Sequence, residues 1–189
     1  MDAFSFIFSL FGLLMGLALA EALSGFGKAL ELRHKIRIGW LTPLLSVAIC
    51  FDIVSFWLIA WQTRNDIPIS FLSLAAGLII FGIYYLIAQL AFPEDIELWP
   101  DLDDYYFKHR RWLIGGMYTC NLLSMASLQL IGIPQATTLR WWIIYLAFSS
   151  GVAAVAFAPG KRWSLAALIY YLLLYPTFDL LGMFGPNWY

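Results

Sequence analysis

Charge is what this chain has least of. Asp, Glu, Lys and Arg make up 12% of its 189 residues, against about 25% in an ordinary soluble domain. Cysteine is nearly absent: Cys50 and Cys120 lie 70 positions apart in apolar sequence with no Cys-x-x-Cys pair and no neighbouring histidine. That spacing excludes the usual zinc and dithiol motifs and leaves two small packing residues. Both histidines, His34 and His109, stand in polar connections, so no apolar segment offers axial ligands for a b-type haem. No apolar block contains a lysine for a retinal Schiff base or a ladder of arginines for a voltage sensor. There is no TVGYG filter, Walker loop, GxSxG elbow or HExxH pair. No metal or cofactor is expected, and the common enzyme classes are disfavoured. A net charge of -1 without a clustered cationic surface argues against a nucleic-acid partner.

What remains is apolar: 62% hydrophobic residues and a mean hydropathy of +0.78. These residues come in runs of about 20, the length that crosses roughly 30 Å of hydrocarbon at 1.5 Å per residue. Six blocks can be drawn: Ala3 to Ser24, Gly39 to Trp61, Ile67 to Phe92, Trp112 to Ile133, Thr138 to Ala158, and Ser164 to about Gly185. The expected fold is an all-α membrane protein of six transmembrane helices in one domain, with the bilayer as its first partner. Trp40, Trp61, Trp112, Trp141, Trp142, Trp163 and Trp188 mark block edges, where an indole ring suits the headgroup layer. The first block lacks a basic leader and is followed by its cations. It therefore reads as a retained helix with its N-terminus outside.

Orientation follows from the cations. Lys28, Arg33, Lys35 and Arg37 follow the first block, Lys108, Arg110 and Arg111 the third, and Lys161 and Arg162 the fifth, whereas Arg64 and Arg140 alone lie on the other side. The positive-inside rule then puts both termini outside a cytoplasmic-type membrane. The outer connections, Gln62 to Asp66 and Pro134 to Thr137, are short, so function is expected within the membrane or on its inner face. The inner segment 93–111 carries six carboxylates followed by a basic, aromatic stretch. It is expected to lie as a loop along the interface, as a solvated acidic segment with a basic anchor or as a docking or cation-collecting segment.

A weak threefold repeat runs through the outward-going blocks: Cys50-Phe51-Asp52-Ile53-Val54-Ser55, Thr119-Cys120-Asn121-Leu122-Leu123-Ser124-Met125 and Thr177-Phe178-Asp179-Leu180-Leu181-Gly182-Met183. It suggests three parallel hairpins; two inverted three-helix halves are the other arrangement. Measured from the inner tryptophans, Asp52 would lie about 18 Å deep, Asn121 about 13 Å and Asp179 about 24 Å.

The candidate site residues are polar groups inside these blocks. An ionised carboxylate in hydrocarbon costs several kcal/mol, so an intramembrane acid faces a wet cavity, has a partner, or is protonated. Asp52, Asp179 and Glu21 qualify, with Asp52 nearly midway between Trp40 and Trp61. Each could take up a proton or a passing cation, or could be a neutral tie between helices. Asn121, Gln89 and Gln129 suit interhelical hydrogen bonding, and Asn121 and Gln89 could also line an ion path. Pro176, three residues before Asp179, should kink the last helix and free the Leu172 carbonyl. Gly12, Gly16, Ala20 and Ser24 recur at every fourth position, a smooth stripe that lets another backbone approach, within the chain or in a homo-oligomer.

The Phe4 to Gly16 pattern, the Arg33-His34-Lys35 segment and the Tyr105-Tyr106-Phe107-Lys108-His109-Arg110-Arg111-Trp112 stretch resemble a family of small six-helix proteobacterial membrane proteins of uncharacterised activity. The resemblance implies a bacterial inner-membrane location and no site residues. Three functions remain open: a channel or transporter for protons, cations or a small solute; an accessory or scaffold subunit of a larger membrane complex; and an intramembrane enzyme acting on lipid.

Overall fold

The computed structural model describes residues 3–132 and 138–181. Its elements are α1 (Ala3–Glu31), α2 (Leu41–Gln62), α3 (Phe71–Gln89), a 3-10 turn (Ile96–Leu98), α4 (Leu102–Leu130), α5 (Leu139–Phe157) and α6 (Gly160–Leu180). There is no strand among the described residues; one isolated bridge joins Arg37 to Asp101. The expected Pro134 to Thr137 connection, the Trp188 anchor, Gly182 and Met183 of the repeat, and the end of the last block lie outside the described residues.

Five helices, α1, α2, α3, α5 and α6, are long and apolar enough to cross a membrane. The helix ends follow capping chemistry rather than the edges of apolarity. Thr138 accepts the Trp141 amide at the start of α5 and Ser70 accepts that of Ser73 at the start of α3, each relieving a first-turn N–H that has no partner within the helix. Asp101 accepts the Asp103 amide, so α4 begins at Leu102, ten residues ahead of Trp112. The segment 93–111, expected as a loop, is therefore helical in its second half. Hydropathy missed this because Asp103, Asp104 and the basic residues are polar yet compatible with helix, and acids in a first turn favour the helix dipole. Likewise α1 runs on to Glu31, past the last apolar residue of its block.

The helices form a closed ring in the order α1, α3, α4, α5, α6, α2, and α2 also packs across the ring on α4. The sequence hairpins 1–2, 3–4 and 5–6 all pack as pairs. A threefold arrangement would repeat the extensive α1–α3 contact between α3 and α5, and α3 and α5 share no comparable contact. Much of the core lies where α2 meets its neighbours, with Leu45, Ile49, Ile53, Tyr84, Met117 and Leu168 almost fully enclosed. Gly151 brings α5 against α6, since a Cβ there would stand 2.8 Å from the Tyr171 ring. Many large apolar side chains point outward, among them Leu13, Phe71 and Leu146, as expected where the surrounding medium is itself apolar.

Three connections gather at one end. The Arg37 amide donates to Pro100 O and the Leu102 amide to Arg37 O, joining the α1–α2 connection to the start of α4. Asp101 receives Lys161 at 2.7 Å and Arg37 at 3.8 Å. Asp103 receives Lys161 at 3.2 Å and accepts the Leu41 amide at 3.1 Å, capping α2. Gly39 makes that cap possible: its φ is +65°, and a Cβ would fall 2.1 Å from the Asp103 carboxylate. Arg110 donates to Ala158 O and Ser164 Oγ, each at 2.8 Å, and Arg111 donates to Ala156 O. Two cations thus cover carbonyls at the C-terminal end of α5, where the helix dipole is negative. Most of the scarce charge of this chain is used at this end.

Candidate functional site

At the opposite end, α2, α4, α5 and α6 separate around a cavity of about 410 Å³. Each helix presents one stripe to it at helical spacing. On α6 these are Tyr171, Tyr175 and Asp179; on α5, Trp141, Tyr145 and Phe148. The mouth is set by Gln62 and Thr63 at the end of α2, Leu128 near the end of α4 and Trp141 near the start of α5. The floor is Asp52, at mid-length of α2 and 3% exposed.

Three neutral donors from three helices converge on the Asp52 carboxylate. Oδ2 accepts from the Tyr84 hydroxyl of α3 and from Asn121 Nδ2 of α4 at 3.1 Å. Oδ1 accepts from the Tyr175 hydroxyl of α6 at 2.8 Å. Asn121 is held in place by a second bond from Nδ2 to Met117 O. The Tyr171 and Tyr175 hydroxyls are 3.1 Å apart; because the one Tyr175 proton is directed at Asp52, Tyr171 is left to donate in that pair. Between α4 and α5, the Tyr118 hydroxyl meets Tyr145 at 2.9 Å and Ser149 at 3.2 Å. Trp141 stacks parallel on Tyr145, with ring centroids 5.2 Å apart.

Neutral donors satisfy the oxygen lone pairs of a carboxylate and leave its charge uncompensated. None of the ion pairs among the described residues reaches Asp52. A charge in a dry setting is stabilised fully only by a counter-charge or a proton. The arrangement is thus a fixed acceptor for something positive, reached through an aromatic vestibule. It also ties α2 to three neighbours, so it serves the fold at the same time.

Of the residues singled out from sequence, Asp52 and Asn121 are brought into direct contact. Asp179 lines the same cavity from an exposed position nearer the mouth, and Pro176 lies beside Tyr175 on the wall. Glu21 on α1 and Gln89 at the end of α3 do not line it. Nor does the α1 stripe form the main intramolecular seam. Gly12 rests on the Trp57 ring, but a Cβ at Gly16 meets nothing within 4 Å, and Ala20 and Ser24 are exposed. The inward face of α1 is instead Met15, Ala18, Ala22 and Ala29. Cys120 is buried with its thiol on Ile80 O, and Cys50 is half-buried.

The tyrosines were missed. Only carboxylates and amides were weighed as site groups, yet Tyr84, Tyr171 and Tyr175 lie well inside their blocks. A buried phenol needs a polar partner, and the four-residue spacing of 171, 175 and 179 puts two hydroxyls and a carboxylate on one helix face. No known family model matches the chain, and comparison with curated proteins and with solved structures gives no match.

Proposed function

We propose that this chain is a six-span protein of a bacterial cytoplasmic membrane, with both termini outside, that moves a proton, a cation or a small solute, and that Asp52 is the carboxylate that receives it. The observation that carries this reading is a buried, cation-free carboxylate at the floor of a cavity that widens toward one end of the bundle. Counting α4 as the sixth span is supported by Trp40, Trp112 and Trp163, all exposed at the end that holds the tied connections. Measured from Trp112, α4 has 19 residues to Leu130, enough for about 27 Å. Its polarity comes from the preceding segment and from Tyr118, Asn121 and Ser124, which face the cavity. The gathering of nine cations in three connections on one side supports the N-out orientation.

Below Asp52 the ring is filled by Ile49, Met117, Val155 and Leu168, all essentially inaccessible. A cavity closed at its floor favours a carrier that loads from one side over a permanently open pore. The test is flux of protons, potassium and sodium into liposomes holding the purified protein, for wild type, Asp52→Asn and Asp179→Asn at equal incorporation. Transport that Asp52→Asn abolishes and Asp179→Asn only slows is expected; the absence of flux above empty liposomes for each ion removes those ions as cargo. A second reading, an accessory subunit, rests on the outward face of α1. Gly16 and Gly27 have nothing within 4 Å of a Cβ, which suits close packing by a helix of another chain or a second copy. Cysteine cross-linking from position 16 in native membranes tests that reading, and products at monomer mass alone count against it.

A further inference from the structure

We infer that the cavity takes a monovalent organic cation with a bulky aromatic or apolar body, its charged centre seated on Asp52. This deepens the transport reading and rests on the same site. The first argument is size. About 410 Å³ falls in the range of pockets that enclose whole organic molecules, and it is many times the volume of a bare alkali cation. A dehydrated inorganic ion also needs a cage of several oxygens. Here the floor offers one carboxylate that already accepts three hydrogen bonds, the Tyr175 and Tyr171 hydroxyls beside it are engaged with it and with each other, and much of the wall is ring.

The second argument is charge. The residues that line the cavity include two carboxylates, Asp52 and Asp179, and no lysine, arginine or histidine. An anion would meet Asp179 near the mouth and Asp52 at the floor, while Arg64 and Arg140 beside the mouth do not line the cavity. A cation is drawn first to exposed Asp179 and then inward to Asp52, about one helical turn deeper along α6 if judged from Tyr175.

The third argument is the chemistry of the walls. Phe51, Trp141, Tyr145, Phe148 and Tyr175 surround the vestibule, and Phe148 packs edge-on against Tyr175 with centroids 4.8 Å apart. Ring faces attract a weakly hydrated cation and also bury the apolar body that carries it. A neutral polar solute would need free donors at the floor, but the Tyr84, Asn121 and Tyr175 donors are committed to Asp52. Oδ1 accepts a single bond, from Tyr175, which leaves it a lone pair to face the incoming charge.

The experiment is equilibrium dialysis of the purified full chain in micelles against radiolabelled methyltriphenylphosphonium, with neutral triphenylphosphine oxide as the shape-matched control and empty micelles as the blank. The expected result is saturable binding of the cation at least tenfold tighter than that of the oxide. Asp52→Asn should remove that preference and leave the oxide unaffected. Ser149→Trp, which fills the cavity from α5, should abolish binding of both. Equal affinity for cation and oxide in the wild type overturns the inference without reliance on any variant. So does a cation affinity unchanged by Asp52→Asn or by Ser149→Trp in protein that elutes as the wild type does. The two readings fail separately. Proton or alkali-ion flux without phosphonium binding defeats the organic cation and leaves transport standing. Asp52-dependent binding with phosphonium entry no faster than into empty liposomes defeats transport and leaves the site.

Discussion

Replacing Asp52 by asparagine and by alanine should separate its charge from its hydrogen bonds. In Asp52→Asn the amide oxygen can occupy the Oδ2 position and keep Tyr84 and Asn121 as donors. The NH2 then lies at the Oδ1 position, facing Tyr175. The Tyr175 hydroxyl can turn to accept it and direct its own proton to Tyr171, 3.1 Å away, whose proton is free to turn into the cavity. Every group keeps a partner, and a charge leaves a dry interior, so stability should stay within about 1 kcal/mol of wild type or rise. Asp52→Ala has no such repair for Tyr84, which is 1% exposed and does not line the cavity. Its buried O–H would lose its acceptor and keep only the 3.5 Å bond that it receives from Asn121 Nδ2, at about 1–3 kcal/mol, and the ties from α2 to α3, α4 and α6 would be lost with it. Asn121 retains Met117 O and Tyr175 retains Tyr171, so the total should be about 2–4 kcal/mol. Unfolding in micelles, followed by tryptophan fluorescence, gives the comparison. The reasoning is refuted if asparagine destabilises as much as alanine, which would make the charge itself part of the fold. It is equally refuted if alanine is as stable as wild type.

Three further outcomes follow from the tied end. Gly39→Ala should destabilise by about 2 kcal/mol, combining a left-handed φ of +65° with displacement of the Asp103 cap on Leu41. In the Asp103→Ala background the same change should be milder, and strict additivity in that double-mutant cycle would disprove the clash. Arg110→Met should cost about 2 kcal/mol by removing the bonds to Ala158 O and Ser164, less what methionine packing restores against Tyr106 and Phe107. A variant as stable as wild type in denaturant titration would show that the α5 carbonyls need no cation. For acid pH, burial alone would raise the Asp101 carboxyl, but the Lys161 hydrogen bond, the Asp103 amide and the charges of Lys161 and Arg37 outweigh it and hold it below the usual range. A carboxyl depressed in the folded state stabilises fully above its unfolded value of about 3.9, and that stability is lost as pH falls below there and through the folded value. Lys161→Met should therefore lower the melting temperature at neutral pH and shrink the loss seen in wild type below about pH 4. Parallel melting curves across that window would contradict the linkage.

The sequence was informative where one property dominates and silent where several compete. Runs of apolar residues marked the five helices that are long and apolar enough to cross a membrane. They could not say where α1 and α4 end, since capping and charge tolerance, not apolarity, decide that in Lys28 to Glu31 and in Leu102 to Arg111. The ring order was illegible for a physical reason. In a soluble bundle the apolar stripe of a helix shows which face is buried, but α2 is apolar all round, exposing Val47, Val54 and Leu58 while burying Leu45, Ile49 and Ile53. Small residues misled in the same way: the evenly spaced Gly12-Gly16-Ala20-Ser24 stripe turns mostly outward, and the seam is the less conspicuous Ala18, Ala22 and Ala29. At the site, Asp52 and Asn121 stood out because hydrocarbon makes polar groups expensive. Tyr84 and Tyr175 did not, because tyrosine is unremarkable at an interface, and only depth separates a membrane anchor from a donor.

The two ends of the bundle differ in what holds them, and this bears on how a solute could leave. At the tied end, Arg37, Asp101, Asp103, Arg110 and Lys161 join three connections through ion pairs, caps and a backbone bridge. At the cavity end, α6 passes the mouth with Pro176 in its interior, one residue beyond the Tyr175 that holds Asp52. Proline has no N–H for the Leu172 carbonyl, so the last turn of α6 lacks a hydrogen bond next to the site. Bending of α6 there needs no backbone bond to break, whereas opening the tied end would break several charged ones. On the proposed transport reading, a cation that neutralised Asp52 would weaken the pull of the carboxylate on Tyr175 and so loosen α6 beside its proline. Loading the site and freeing the helix would then be one event. If so, Pro176→Ala, which restores the missing bond, should slow transport by a much larger factor than it weakens equilibrium binding at Asp52. A proline that serves only packing would instead alter affinity and stability together, and paired measurements of binding and flux on this variant decide between them.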